Sequence, residues 1–246
     1  MKAIFTTKKD LSAEYFAKNN WDVYLYDTGT LKAKAPIKDY GAVYFRDPFN
    51  DSTLNLDIVA LDNLITQFSA ARSIDGIRSY DDMITFEDKW NQAQKYSDFT
   101  PKTYLPSQIE FIKGQHLAKK RISQRAKDIL FELDGRLDDQ WIIQELLDIK
   151  EELRVYAVFS QVIPQATIKA SKINGKVKVI GARELNAKEI EFCSRIAEKS
   201  GLDFIGIDLA VLEGSDLRLI EVNRSPQFKR FVELYGEEPL TGILSL

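Results

Sequence analysis

The chain has 246 residues, enough for one or two domains and a sizeable hydrophobic core, so no disulfide or metal staple is needed to fold it. Lysine and arginine total 34 against 37 aspartates and glutamates, a net charge of −3, which excludes a bulk cationic field for nucleic acid or membrane. One cysteine and one histidine exclude an intramolecular disulfide, a thiolate zinc cage and any multi-histidine metal site. No apolar run approaches the ~20 residues of a membrane span. The opening MKAIFTTKKD has too short an apolar stretch for a signal peptide. A lone cysteine suits a reducing, cytoplasmic setting.

In chain order, Ala3-Ile4-Phe5 reads as a short buried strand. A helix from Leu11 to Lys18 follows, with Ser12 as its candidate cap. Val23–Tyr26 and Ala42–Phe45 read as two more strands. Apolar residues at 54, 58, 61, 65 and 68 follow the 3.6-residue period of an amphipathic helix over Leu54–Phe68. Strands alternating with helices imply a small parallel sheet with helices on its faces. A helix over 81–96 precedes Thr100-Pro101, which breaks the pattern. Beyond it β signals dominate, at 115–120, 129–133, 141–147, 152–160, 165–170 and 176–180, with Asn174-Gly175 as a hairpin turn. Ala187–Lys199 reads as a helix stopped by Gly201. Two strands, 203–212 and 217–223, are joined by Glu213-Gly214-Ser215-Asp216. The expectation is a small α/β front domain, residues 1–85, followed by an α+β body, 86–246, of two lobes with antiparallel sheets, about 100–150 and 151–246.

The most informative stretch is GLDFIGIDLAVLEGSDLRLIEVNRSPQF. Strand alternation puts Phe204, Gly206 and Asp208 on one face of the first strand and Glu221 and Asn223 on one face of the second. Antiparallel pairing through the short hairpin sets Asp208 opposite or diagonal to Glu221. Like charges side by side in a half-buried sheet are unfavourable unless a cation sits between them. Two carboxylates and a carboxamide are hard oxygen donors suited to magnesium shared with phosphate oxygens. On spacing alone, solvated acids on outward faces explain the pair equally well.

This stretch looks like the C-terminal signature of the ATP-grasp superfamily, most similar to its RimK-like ribosomal-protein glutamate ligase branch. The resemblance implies magnesium ligands at Asp208, Glu221 and Asn223. Upstream, Phe86-Glu87-Asp88-Lys89-Trp90 resembles the family's Asp-Lys helix, which makes Lys89 a phosphate-contacting residue; taken alone it is an ordinary solvated helix lysine. HLAKKRISQRAKDILF resembles the strand lysine and glycine-rich loop, with Lys119 as the phosphate lysine; an alignment one residue over selects Lys120, which faces the other way. The usual glycines are missing, so Ser123, Arg125 and Lys127 are expected to serve by side chain. WIIQELLDIKEELRVYAV resembles the adenine hinge: Gln144, Glu145, Leu146 and Leu147 meet adenine, Glu152 replaces the usual ribose-binding Asp, and Asp148 is a second ribose candidate. Arg154 matches an arginine directed toward phosphates or substrate, and Arg183 and Asn186 weakly match a later R-x-N segment.

The resemblance covers residues 85–228 and implies an ATP- and Mg2+-dependent ligase, with Mn2+ as a substitute metal. It would join a carboxylate substrate, through an acyl phosphate, to an amine or amino acid, including a peptide or protein. A nucleotide-binding protein without ligase activity and an ATP-grasp kinase are the two other readings, and an oligomer is compatible with all three. No nucleic-acid or membrane partner is expected. Cys193 reads as a buried thiol on an apolar helix face, His116 as structural, and Ser225 has no histidine to form a triad. The chain ends at Leu246, soon after the metal motif, so no catalytic extension is expected beyond it.

Overall fold

A computed structural model describes residues 1–26, 39–51, 54–122, 128–133, 135–173 and 176–246. The front sheet is parallel, in order β2-β1-β3-β4: β1 (Lys2–Thr6), β2 (Asp22–Leu25), β3 (Ala42–Phe45) and β4 (Arg72–Ser73). Ala3, Ile4 and Phe5, like Val43, Tyr44 and Phe45, are all buried, as expected of parallel strands covered on both faces. Phe5, Val43 and Phe45 pack with Leu61, Leu64 and Ile65 of the Ile58–Gln67 helix. Ile4 and Tyr44 pack with Phe16, Trp21 and the chain's far end, Phe228, Phe231, Leu240, Ile243 and Leu244. The front sheet therefore shares one core with the C-terminal helices, Lys229–Tyr235 and Thr241–Leu244.

The helices start where side chains cap them. Asp57 accepts Ala60 N–H at 3.0 Å, so that helix begins at Ile58 and not at Leu54. The first helix spans Ala13–Lys18, and Ser12 does not cap it. The Ser12 hydroxyl instead accepts Phe228 N–H at 2.9 Å, a tie across 216 residues. The helix expected over 81–96 is two helices, Tyr80–Glu87 and Lys89–Lys95. Asp88 between them is extended, and its carboxylate accepts Trp90 N–H at 2.8 Å to start the second.

The second sheet is antiparallel, in order β5-β8-β6-β7: β5 (Thr103–Tyr104), β6 (His116–Lys120), β7 (Ile129–Leu130) and β8 (Trp141–Glu145). β7 and β8 are shorter than their apolar runs, and β5 has no signal in the sequence beyond two residues.

The third sheet, also antiparallel, runs β11-β10-β9-β12-β13: β9 (Ile149–Val158), β10 (Gln161–Ile173), β11 (Lys176–Glu184), β12 (Phe204–Leu212) and β13 (Leu217–Asn223). β9 turns into β10 at Phe159-Ser160, both left-handed (φ 50° and 63°), the geometry of a two-residue hairpin. Asn174-Gly175 lies outside the described residues. The Ala187–Ser200 helix covers one face of this sheet, burying Cys193, Ile196 and Ala197 against Leu153, Val155, Ile207, Leu209 and Val222. It is opened by a capping box between Asn186 and Glu189 and closed by Gly201 at φ 72°. Among the described residues no helix is long and apolar enough to cross a membrane.

Candidate active site

The site is built on the face of the third sheet opposite the Ala187–Ser200 helix, beyond the part of that face where Tyr156, Val158 and Phe204 pack with Phe228 and Phe231. Asp208 pairs directly with Glu221 on β13 and with Arg154 on β9, and Gly206 pairs with Asn223. A β-bulge makes this possible. Leu209 pairs with Leu219 but Asp208 with Glu221, so Ile220 is an extra residue. Without it, Leu217, Leu219, Glu221 and Asn223 would share one face, because strand side chains alternate strictly. The bulge sends Leu217, Leu219 and Val222 into the core and turns Glu221 and Asn223 onto the face of Asp208.

Asp208 is nearly buried and doubly held. Arg154 Nε donates to Oδ1, Arg154 Nη2 donates to Oδ2 at 2.8 Å, and Lys169 Nζ lies 2.8 Å from Oδ2. Lys169 also bonds Glu152 at 2.6 Å. Burial alone pushes the Asp208 carboxyl up, but Arg154 and Lys169 outweigh it and hold it well below the usual carboxylate range. Asn223 Nδ2 stands 3.5 Å from the same oxygen.

Lys119, not Lys120, turns toward this face. Its ammonium donates to Gln144 Oε1 at 2.8 Å, and Gln144 is fixed in turn by Thr103 Oγ1 at 2.8 Å. Burial pushes Lys119 down to about 8, opposed by Glu221 and reinforced by Lys89, with Glu152 and Asp208 also drawing it up. The second sheet thus brings a lysine over the carboxylates of the third, and Lys89 arrives from the N-terminus of its own helix.

Behind these groups the chain leaves β13 through a buried ionic layer. Arg224 is fully buried and bonds Asp75 at 2.7 Å and Glu87 at 3.1 Å. Burial, with Asp47 and Glu221, pushes Glu87 up to about 7 against the pull of Arg224 and Lys89. Arg46 pairs with Asp10 and donates to Pro226 O at 2.9 Å, while Tyr44 Oη donates to Arg224 O at 2.6 Å. The front domain therefore fixes residues 224–226. Gly206 lets that segment approach: a Cβ there would stand 2.6 Å from Pro226 Cβ and 3.3 Å from Arg154 Cδ.

The structure gathers Lys89, Lys119, Gln144, Glu152, Arg154, Asp208, Glu221 and Asn223 in one place. It does not bring Arg183 there. Arg183 pairs with Ala166 on β10, whose neighbour on β9 is Val155, and so lies on the helix-covered face. It bonds Glu151 and Glu189, each at 2.7 Å. Asn186 is spent on its cap. Arg183 and Asn186 thus serve the sheet–helix junction, and Arg183 is not retained as a catalytic candidate. Glu145 ends β8 and Leu146 and Leu147 begin the link to the third sheet, where Glu145 N–H is taken by Lys102 O and Leu146 N–H by Gln115 O. Asp148 is exposed in the same link. Ser123, Arg125 and Lys127 lie outside the described residues. His116 accepts Ile112 N–H through Nδ1 at 3.0 Å, and burial pushes the Cys193 thiol up to about 12, both in keeping with structural roles. Sequence reasoning missed Lys169; its only signal was a lysine at the strand position opposite Glu152.

A parallel front sheet followed by two antiparallel sheets is also the fold of solved ATP-grasp ligases. The chain superimposes on ATP-grasp ligase PsnB complexed with minimal precursor, Mg and ADP, at TM-score 0.65 and 17% identity, covering 99% of this chain and 96% of that one. A RiPP-associated ATP-grasp ligase from Chryseobacterium gregarium, in complex with ADP and a leader and core peptide, gives 0.65 and 15%, covering 99% and 95%. The macrocyclase MdnC from Microcystis aeruginosa, bound with precursor peptide MdnA, gives 0.64 and 15%, covering 99% of each chain. No protein-family model matches the chain, and no curated protein matches it in sequence.

Among the described residues no group of three or more His, Cys, Asp or Glu side chains could hold a metal. A divalent ion would have two carboxylates and one carboxamide, and that set of hard oxygens fits magnesium completed by phosphate and water. Positive charge beside Asp208 comes here from Arg154 and Lys169.

Proposed function

We propose that the protein is an ATP- and Mg2+-dependent carboxylate–amine ligase acting on a peptide, with the RimK-like branch as its sequence kin and the cytoplasm as its setting. The observation that carries this is the convergence of Lys119, Arg154, Asp208, Glu221 and Asn223 between two sheets, within a fold shared over its full length with peptide-bound ATP-grasp ligases. Asp208, Glu221 and Asn223 would hold magnesium, which spreads the charge of the nucleotide phosphates when bound. Lys119 and Lys89 add positive charge from the opposite side, so a substrate carboxylate oxygen can approach the γ-phosphorus. The oxygen–phosphorus bond forms as ADP leaves. An amine nitrogen then bonds the acyl carbon of the resulting acyl phosphate, the carbon–oxygen bond to phosphate breaks, inorganic phosphate leaves, and the amine proton passes to solvent. Arg154 and Lys169 supply fixed cations for the oxygens on which charge develops. Gln144, Glu145, Leu146 and Leu147 would border adenine, and Glu152 or Asp148 the ribose. Ser123, Arg125 and Lys127 remain proposed phosphate contacts.

The test is to incubate the protein with ATP, Mg2+ and a library of peptides carrying acidic side chains, with and without amines. ADP release together with loss of one water from the joined product supports ligation. ADP release with a stable phosphorylated product indicates a kinase. Tight ATP binding with no turnover indicates a nucleotide-binding protein.

A further inference from the structure

Among the described residues β13 is an edge strand, with β12 as its one strand neighbour. After the bulge at Ile220 the strand also carries Glu221 and Asn223 with only Val222 between them. The side chain of Gln92 fills this gap. Gln92 Oε1 accepts Val222 N–H at 3.0 Å, and Gln92 Nε2 donates to Val222 O at 3.0 Å and to Phe86 O at 2.9 Å. One carboxamide thus pairs with both outward groups of a single residue, as a neighbouring strand would. Three residues earlier on β13, Leu219 N–H bonds Phe99 O at 2.8 Å, so the bulge is pinned on both sides. Gln92 is buried, and its helix begins at Lys89.

We propose that Gln92 is a positioning residue that sets the register of Glu221 and Asn223 and ties the metal-ligand strand to the helix carrying Lys89. The inference rests on the ligase reading, through the metal roles of Glu221 and Asn223. A peptide strand released at Val222 can relax the bulge, and a slip of one residue would swap the faces of Glu221 and Val222. These hydrogen bonds of Gln92 go to the backbone of Val222 and Phe86, so it acts on Glu221 and Asn223 through the strand that carries them.

The test is calorimetric titration of ADP, with and without Mg2+, into wild type, Gln92→Leu and Gln92→Glu, alongside hydrogen exchange at the Val222 amide. Leucine has a similar size and no polar atoms; glutamate keeps the acceptor for Val222 N–H and loses the donors. Expected are loss of Val222 protection in Gln92→Leu and its retention in Gln92→Glu. The gain in ADP affinity given by Mg2+ should fall roughly 10- to 100-fold in Gln92→Leu, and by less in Gln92→Glu. Metal-free ADP affinity should not move in either variant. An unchanged Mg2+ gain in Gln92→Leu overturns the proposal, as does an equal loss with and without metal. If Gln92→Leu does not fold, an undiminished gain in Gln92→Glu overturns it. A wild type that gains nothing from Mg2+ removes the ligase reading itself, and the proposal with it.

Discussion

The third sheet buries Leu153, Val155, Ile205, Ile207, Leu209, Leu219 and Val222 beneath a 14-residue helix. Between residues 103 and 145 the second sheet buries only Ala118, Ile142 and Ile143 among its described hydrophobic residues, and leaves Ile112, Ile122 and Phe131 exposed. The acids that would hold metal stand on the first surface, and Lys119 hangs from the second. A sheet with little buried apolar area opens at lower free energy than one with a packed helix behind it. The site therefore has a firm floor and a softer roof. The roof is attached where Asp88 binds Arg121, at 2.5 Å to Nη2, and where Lys89 N–H bonds Arg121 O at 2.9 Å. Division of labour follows: the floor fixes where negative charge sits, and the roof sets how closely positive charge approaches.

The largest expected effect comes from breaking the floor. Asp208→Ala strands Arg154 with unmatched charge and leaves Lys169 to Glu152 alone, and should cost about 3–5 kcal/mol in urea unfolding while abolishing the Mg2+-dependent part of ADP binding. Because the folded Asp208 carboxyl is held below its unfolded value, its contribution is complete above about pH 3.9 and is lost as pH falls toward the lower folded value. Wild type should therefore lose more stability on acidification than Asp208→Asn does.

Gly206→Ala comes next. Its methyl group meets the Pro226 ring and the Arg154 stem, neither of which has room to move freely, for a cost of about 1–3 kcal/mol by thermal or urea unfolding. Asp88→Ala removes a helix cap and the Arg121 ion pair together, and should cost the whole chain about 1–3 kcal/mol. It should speed amide exchange in residues 116–120 while leaving residues 204–209 protected. Equal acceleration in both segments would erase the contrast between roof and floor.

The last effect is electrostatic. Lys119 sits near 8 in the folded chain against its ordinary 10.5, so the unfolded chain binds more protons between those values. Stability should rise with pH across that window, and Lys119→Met should flatten the rise. Phosphate beside the ammonium keeps it protonated, so ADP affinity should fall as pH climbs through about 8, with proton uptake visible by calorimetry in different buffers.

Most of this arrangement was legible in the sequence where alternation is strict. Glu221 and Asn223 fell on one face because a two-residue period leaves few choices, although it takes the bulge at Ile220 to turn that face toward Asp208, and the choice between Lys119 and Lys120 reduced to which side of β6 meets the floor. The bulge was present as a change of phase in LRLIEVN, apolar at 217 and 219 and then at 220 and 222. What escaped was set by side chains meeting across long stretches of chain. Nothing local says that Asp88 splits a helix to bind Arg121, or that Gln92 finds Val222 130 residues away. Lys169 was hidden because its partners, Glu152 and Asp208, lie on two other strands. Arg183 was misplaced because a weak motif match ignored the face on which β11 presents it. The core shared by the front sheet and the last helices likewise depends on contacts between the chain's two ends.

The account stands on one site. Crystals grown with ADP and Mn2+ should give an anomalous peak about 2.1 Å from the carboxylate oxygens of Asp208 and Glu221 and the amide oxygen of Asn223, with the ADP phosphates against the metal and Lys119. Nucleotide bound elsewhere, or a metal that leaves Glu221 and Asn223 without a bond while Arg154 and Lys169 alone hold Asp208, would contradict it.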